Sequence, residues 1–403
     1  MINKDFRSVV NKNLDKKYNI DFLSLETARK IVNFHQSFPV YQKTPLWHLD
    51  DLAKDLNVEK VYVKDESYRF DLNAFKVLGG SYAIGQVIAQ KAGLDADNIS
   101  FEALKDAKAK LGDLTFVTAT DGNHGRGLAW SANQLEYKSV VYMPKGSAIE
   151  RRDNIKAENS ECTITDMNYD DAVRLANQMA QEKGWVMVQD TAWEGYEEIP
   201  TWIMQGYMSL AYEIYDELNK EKDKRPTHIF LQAGVGSLAA AICGFFANVY
   251  QDNLVKIIVV EPSTVDCIYQ TAKANDGKLH NVTGDLDTIM AGLACGEPNP
   301  IGWNVLNSYA YSFVTCPDYA AADGMRVLAN PLGNDNKIVS GESGAAPFGC
   351  VINVIKDNDL VALKEEMGID EKSRLLFINS EGDTDKENYR NVVWYGKYSK
   401  FEK

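Results

Sequence analysis

The chain lacks the marks of several common catalytic and targeting classes. Its six cysteines, Cys162, Cys243, Cys267, Cys295, Cys316 and Cys350, form no C-x-x-C pair. That argues against a zinc knuckle or a dithiol redox centre and suits a reducing compartment. The patterns H-E-x-x-H, G-x-x-x-x-G-K-[ST] and G-x-S-x-G are all absent, so zinc peptidase, P-loop NTPase and serine hydrolase lose their support. Positive charge is also scarce: 43 Lys and Arg stand against 57 Asp and Glu, a net of −14 with no basic patch. Such a surface repels phosphate backbones and anionic lipid, so neither nucleic acid nor membrane is an expected partner. The opening stretch MINKDFRSVVNKNLDKKYNI is charged throughout and has no apolar core for a signal peptide. A cytoplasmic location is the expectation. One run, IFLQAGVGSLAAAICGFF, is long and uncharged, yet Gln232, Ser237 and its glycines suit a strand, a tight loop and a buried helix better than a membrane span.

The 403 residues, 45% hydrophobic and 25% charged, describe an ordinary globular chain with ample core. Short apolar runs recur, each followed by a turn and a helical pattern: KVYVKDE, TFVTATDGNHG, SVVYMPKG, CTITDMN, WVMVQD, HIFLQAGVGS. Strand, loop and helix repeated in that way predict an α/β protein with open, mainly parallel sheets covered by helices. Ligands in such folds sit beyond the carboxyl ends of the strands. The strands before Gly195 read as a small unit, residues 86–195, inserted into a larger one made of 1–85 and 196–403.

Four stretches could carry chemistry. In FDLNAFKVLGG, Lys76 is flanked by Ala74, Phe75, Val77 and Leu78. A lysine drawn toward an apolar site gains a neutral, nucleophilic amine, although a helix lysine that snorkels to water would read the same. In QAGVGSLAAA, glycines at 234 and 236 open a helix after a strand, so backbone N–H groups of Gly234, Val235, Gly236, Ser237 and Leu238 could cradle a phosphate. The same letters, with Glu261 closing VKIIVVE, also make a tolerable dinucleotide fingerprint. TATDGNHGRG places Asp121, Asn123 and His124 in one loop, and WVMVQD ends on Asp190. Each could be a helix cap and nothing more. Together, however, a desolvated lysine, a phosphate loop without a P-loop lysine and a polar loop with a carboxamide fit pyridoxal 5'-phosphate.

At these residues the sequence resembles the tryptophan synthase β-like family of pyridoxal-phosphate enzymes, fold type II. The likeness runs over most of the chain: TPL at Thr44–Leu46, AFKVLGG, the N-H-G of Asn123–Gly125, and the glycine loop. It implies two open sheets, with Lys76 as the Schiff-base lysine, Gly234 to Leu238 as the phosphate cup and Asn123 at the ring oxygen. Thr384 is assigned to the ring nitrogen, with Ser380 as the alternative. Members acting on hydroxy-amino acids usually carry a serine or threonine in the first loop and a run of glycines in the second. TDGNHGRG, QAGVGSLAAA, SGESGAAP and INSEGDTD depart toward a diamino-acid substrate. The resemblance therefore implies β-elimination of 2,3-diaminopropionate, D and L, to pyruvate and two ammonia, with Lys76, Asp121 and Asp190 catalytic and no metal. It also implies a homodimer. Glu342 and Ser343 are expected near the cleft without an assigned role. A serine/threonine dehydratase of the same fold, an NAD-dependent oxidoreductase using the glycine loop, and a non-catalytic amino-acid sensor are the rivals.

Overall fold

The computed structural model describes residues 6–14, 16–120, 122–220, 225–251 and 255–400. Two sheets organise them. The larger takes β1 (Arg7–Val10), β2 (Leu46–His48), β3 (Lys60–Asp65), β8 (His228–Gln232), β9 (Lys256–Pro262), β10 (Ser312–Cys316) and β11 (Arg374–Asn379). The smaller takes β4 (Thr115–Ala119), β5 (Lys138–Met143), β6 (Glu161–Ile164) and β7 (Val186–Met187). Their orders are β1-β10-β9-β8-β11-β3-β2 and β6-β5-β4-β7. The small sheet is parallel throughout. In the large one only the edge strands β1 and β2 run antiparallel to their neighbours.

The fold class is the one expected. Central strands β8 and β10 are buried along their whole length, as strands covered on both faces by helices must be. The long uncharged run becomes β8, a glycine loop and the helix Ser237–Val249. Among the described residues no helix is long and apolar enough to cross a membrane. The helix Val77–Ala92 runs unbroken past residue 85, so a unit boundary drawn there would cut through it.

Three features fix the start of that helix. The first is a buried charge cluster: the Arg69 guanidinium bonds Glu66 and Glu213 at 2.8 Å each, and Lys64 Nζ bonds Glu213 at 2.6 Å. Two cations and two anions balance there, which is what allows four charges to be buried together. The second is a strained connection. Phe70, Asp71 and Asn73 adopt left-handed φ of 51°, 58° and 60°, a conformation that costs side-chain-bearing residues and needs surrounding contacts to hold it. Phe70 packs on Trp130 at 5.0 Å between ring centroids, while Asn73 O accepts from Gly382 N at 3.0 Å. The third is a close approach: a Cβ on Gly127 would stand 2.7 Å from Val77 N, so only glycine lets the helix Asn123–Gln134 come this near.

Candidate active site

The carboxyl ends of both sheets open onto a cavity of about 560 Å³. Lys76, at the edge of the helix Val77–Ala92, is one wall. Its ammonium is bonded to Asp190, which follows β7. The lysine side chain is 20% exposed and lies 5.6 Å from the Phe75 ring centre, so it faces the cavity rather than snorkelling to bulk water. Burial alone would raise the Asp190 carboxyl, but the Lys76 charge, with help from His124, outweighs it and holds the group down at about 2. Asp190 is an anion.

The glycine loop forms a second wall. Gly236 has φ of 96° and stands immediately before the helix Ser237–Val249. A Cβ on Gly234 would meet Cys295 Sγ at 3.2 Å, and one on Gly236 would meet Ile268 Cδ1 at 3.2 Å, so this cradle admits backbone only. The first N–H groups of a helix have no partner within it and carry positive partial charge. Such a cradle, with Lys76 facing the same space, fits a phosphorylated aldehyde cofactor. The Ser237 hydroxyl is already committed: it donates to the Asp190 carbonyl at 2.6 Å and accepts from Asn299 at 2.9 Å. It ties the loop to the Asp190 backbone.

The third wall was only partly foreseen. Asn123, Ser380, Glu381, Glu342 and Ser343 all line the cavity. Glu381 accepts from Asn123 Nδ2 at 2.6 Å, from the Thr384 hydroxyl at 2.9 Å and from Ser343 N at 3.3 Å. Arg151 Nη2 lies 4.0 Å from the same carboxylate and donates to Thr384 Oγ1 at 3.3 Å. Thr384 therefore stands behind Glu381, with its hydroxyl engaged on both sides, whereas Ser380 reaches the cavity. Asp121 lies outside the described residues. Glu342 is 3% exposed and accepts from Asn388 Nδ2 at 2.6 Å. Burial, then the negative charge of Glu381, push its carboxyl up to about 7.

Glu381 and Arg151 were missed by the sequence reading. A signal existed: Glu381 lies two residues past the end of β11, where parallel strands present their ligand-facing residues. Glu261, the acid of the dinucleotide fingerprint, points elsewhere. Its carboxylate bonds Ile268 N at 2.9 Å and Tyr269 N at 2.7 Å, fully buried, and caps the helix Cys267–Ala274. It has no face left for a ribose hydroxyl. Cys267 and Cys295 do approach each other, Cys267 Sγ lying 3.4 Å from the Cys295 carbonyl oxygen. Among the described residues no cluster of His, Cys, Asp and Glu is arranged to hold a metal.

Residues 38–366 match the family model of pyridoxal-phosphate dependent enzymes. A diaminopropionate ammonia-lyase of Salmonella typhimurium is 50% identical over 95% of this chain and 96% of its own length. One from Escherichia coli is 52% identical over 93% of each. The crystal structure of the holo form of the Escherichia coli protein superposes with a TM-score of 0.92 at 49% identity, covering 98% of both chains. Its complex with an aminoacrylate-PLP azomethine reaction intermediate gives 0.90 at 47%, again over 98% of both. The chain belongs to the pyridoxal-phosphate dependent enzyme family and, within it, to the diaminopropionate ammonia-lyase family. A tomato threonine deaminase, at 19% identity and a TM-score of 0.72, shares the fold.

Proposed function

We propose that the protein catalyses the pyridoxal-phosphate-dependent β-elimination of 2,3-diaminopropionate, in both D and L forms, to pyruvate and two ammonia. The observation that carries this reading is the Lys76–Asp190 ion pair facing a cavity whose adjoining wall is the glycine cradle. Lys76 Nζ would hold the cofactor covalently, and the N–H groups of Gly234, Val235, Gly236, Ser237 and Leu238 would hold its phosphate. Asn123 is the residue for the ring oxygen. Ser380, facing the cavity, takes the ring nitrogen ahead of Thr384. When bound, the cofactor supplies the electron sink that stabilises negative charge at the substrate's α-carbon.

The protein's own groups do the rest. Asp190, anionic through its pairing with Lys76, receives the α-ammonium of the incoming substrate as Lys76 is released and accepts a hydrogen bond from its neutral β-amine. Lys76 Nζ then takes the α-proton from one face, that of the L-isomer. Asp121 serves the opposite face, that of the D-isomer, because one base cannot readily reach both. The same reading makes the protein a cytoplasmic homodimer. Purified protein supplied with pyridoxal phosphate should release two ammonia per pyruvate from either enantiomer of diaminopropionate. Turnover of serine or threonine alone would favour the dehydratase reading instead.

A further inference from the structure

An amine does not leave carbon as the amide anion, which is far too basic. The departing nitrogen must carry an extra proton when the Cβ–N bond breaks. Under the elimination reading, on which this inference rests, several cavity groups are unsuited to holding that proton. Lys76 is occupied with the cofactor or the α-proton, Asp190 is an anion, and the hydroxyls of Ser343 and Ser380 are weak acids.

Glu342 is different. It opens the helix Glu342–Lys356, lines the cavity and is 3% exposed. Four groups bear on its carboxyl: the Glu381 carboxylate, its own backbone N–H, the Arg151 guanidinium and the Asn388 carboxamide. Glu381 accepts from Asn123, Thr384 and Ser343 N, and Gly341 N bonds its carbonyl, so the residues on both sides of Glu342 hold it beside that carboxylate. Asn388 Nδ2 donates to Glu342 Oε1 at 2.6 Å. Two carboxyls this close cannot both ionise cheaply, and the one with fewer donors keeps the proton.

We propose that Glu342 is the general acid of the reaction, holding the proton on the β-nitrogen as it departs. The electron pair of the Cα–H bond becomes the Cα=Cβ bond, and the Cβ–N pair leaves on nitrogen. The Glu342 carboxyl gives its proton to that nitrogen, ammonia departs, and the carboxylate regains a proton from water.

The leaving group provides the test. Chloride needs no proton, so Glu342→Gln should lose about a hundredfold or more in kcat on 2,3-diaminopropionate while eliminating chloride from β-chloroalanine nearly as well as the parent. Equal losses on both substrates, or no loss on either, would overturn the proposal. A parent that yields pyruvate from neither would overturn the elimination reading itself. Should Glu342→Gln fold poorly, Glu381→Gln gives an independent measure. Removing the neighbouring anion lowers the Glu342 pKa, so the alkaline limb of the diaminopropionate kcat profile should move to lower pH, and a fixed limb would refute the assignment. In cofactor-free protein, infrared difference spectra across neutral pH should show a protonated-carboxyl band that disappears in Glu342→Gln. Persistence of that band would assign the proton elsewhere.

Discussion

Asp190 and Glu342 are both buried carboxyls facing one cavity, yet one is held at about 2 and the other is pushed up to about 7. Burial raises each of them, so burial does not separate them. The neighbour does: Asp190 sits against a lysine, Glu342 against a second carboxylate. A single small cavity thus keeps an anion on one wall and, on another, a carboxyl that can still carry a proton near neutrality, which is what a reaction that binds an ammonium and expels an amine requires.

Asp121 should extend the comparison to a third carboxyl and give the largest effect. Asp121→Asn keeps size and hydrogen bonding but removes a base, so activity on D-diaminopropionate should fall by about two to four orders of magnitude, with the L-isomer far less affected. Steady-state rates on the pure enantiomers check this, and equal losses would end the two-base scheme. Next in size is Gly236→Asp, which forces a Cβ against Ile268 Cδ1 on a backbone at φ 96° and adds an anion next to the phosphate cradle. Like charges brought together cost several kcal/mol, so cofactor affinity should drop about a hundredfold or more. Titration of the cofactor absorbance measures it, with circular dichroism to confirm the fold.

Asp190→Asn removes the anion from the other wall. Loss of one member of a buried ion pair should lower kcat/KM on diaminopropionate about thirtyfold or more, and the loss on serine should be smaller because serine carries no second amine. The smallest effect is on stability. A carboxyl whose folded pKa is raised stabilises the fold below its unfolded value and loses that contribution as pH rises through the folded value. For Glu342 the window runs from about 4.5 to about 7. Glu342→Gln should therefore flatten this part of the stability profile, with a gain over the parent above neutrality on the order of 3 kcal/mol or less. Urea unfolding at a series of pH values reads it. For Asp190 the sign is opposite: its contribution is present above the usual aspartate range and fades as pH falls toward about 2.

What the sequence made legible was what is local. The apolar neighbours of Lys76 and the glycines at 234 and 236 are written within a few residues of one another, and so is the alternation of strand and helix that sets the fold class. The edge strands β1 and β2, of four and three residues, are too short to show a period, and they supply the antiparallel pairs. The Glu342–Glu381 pair was illegible for another reason. Glu342 begins a helix and Glu381 follows β11, and they meet where Gly341 N bonds the Glu381 carbonyl at 2.9 Å and Ser343 N its carboxylate at 3.3 Å. The same holds for Thr384, whose motif could be read but whose engagement by Glu381 and Arg151 could not.

The central claim is that Lys76 is the cofactor's lysine, and borohydride reduction of the loaded protein followed by peptide mapping tests it most directly. The pyridoxyl group should appear on the peptide carrying Lys76. Its appearance on another lysine, such as Lys145, which also lines the cavity, would contradict the account.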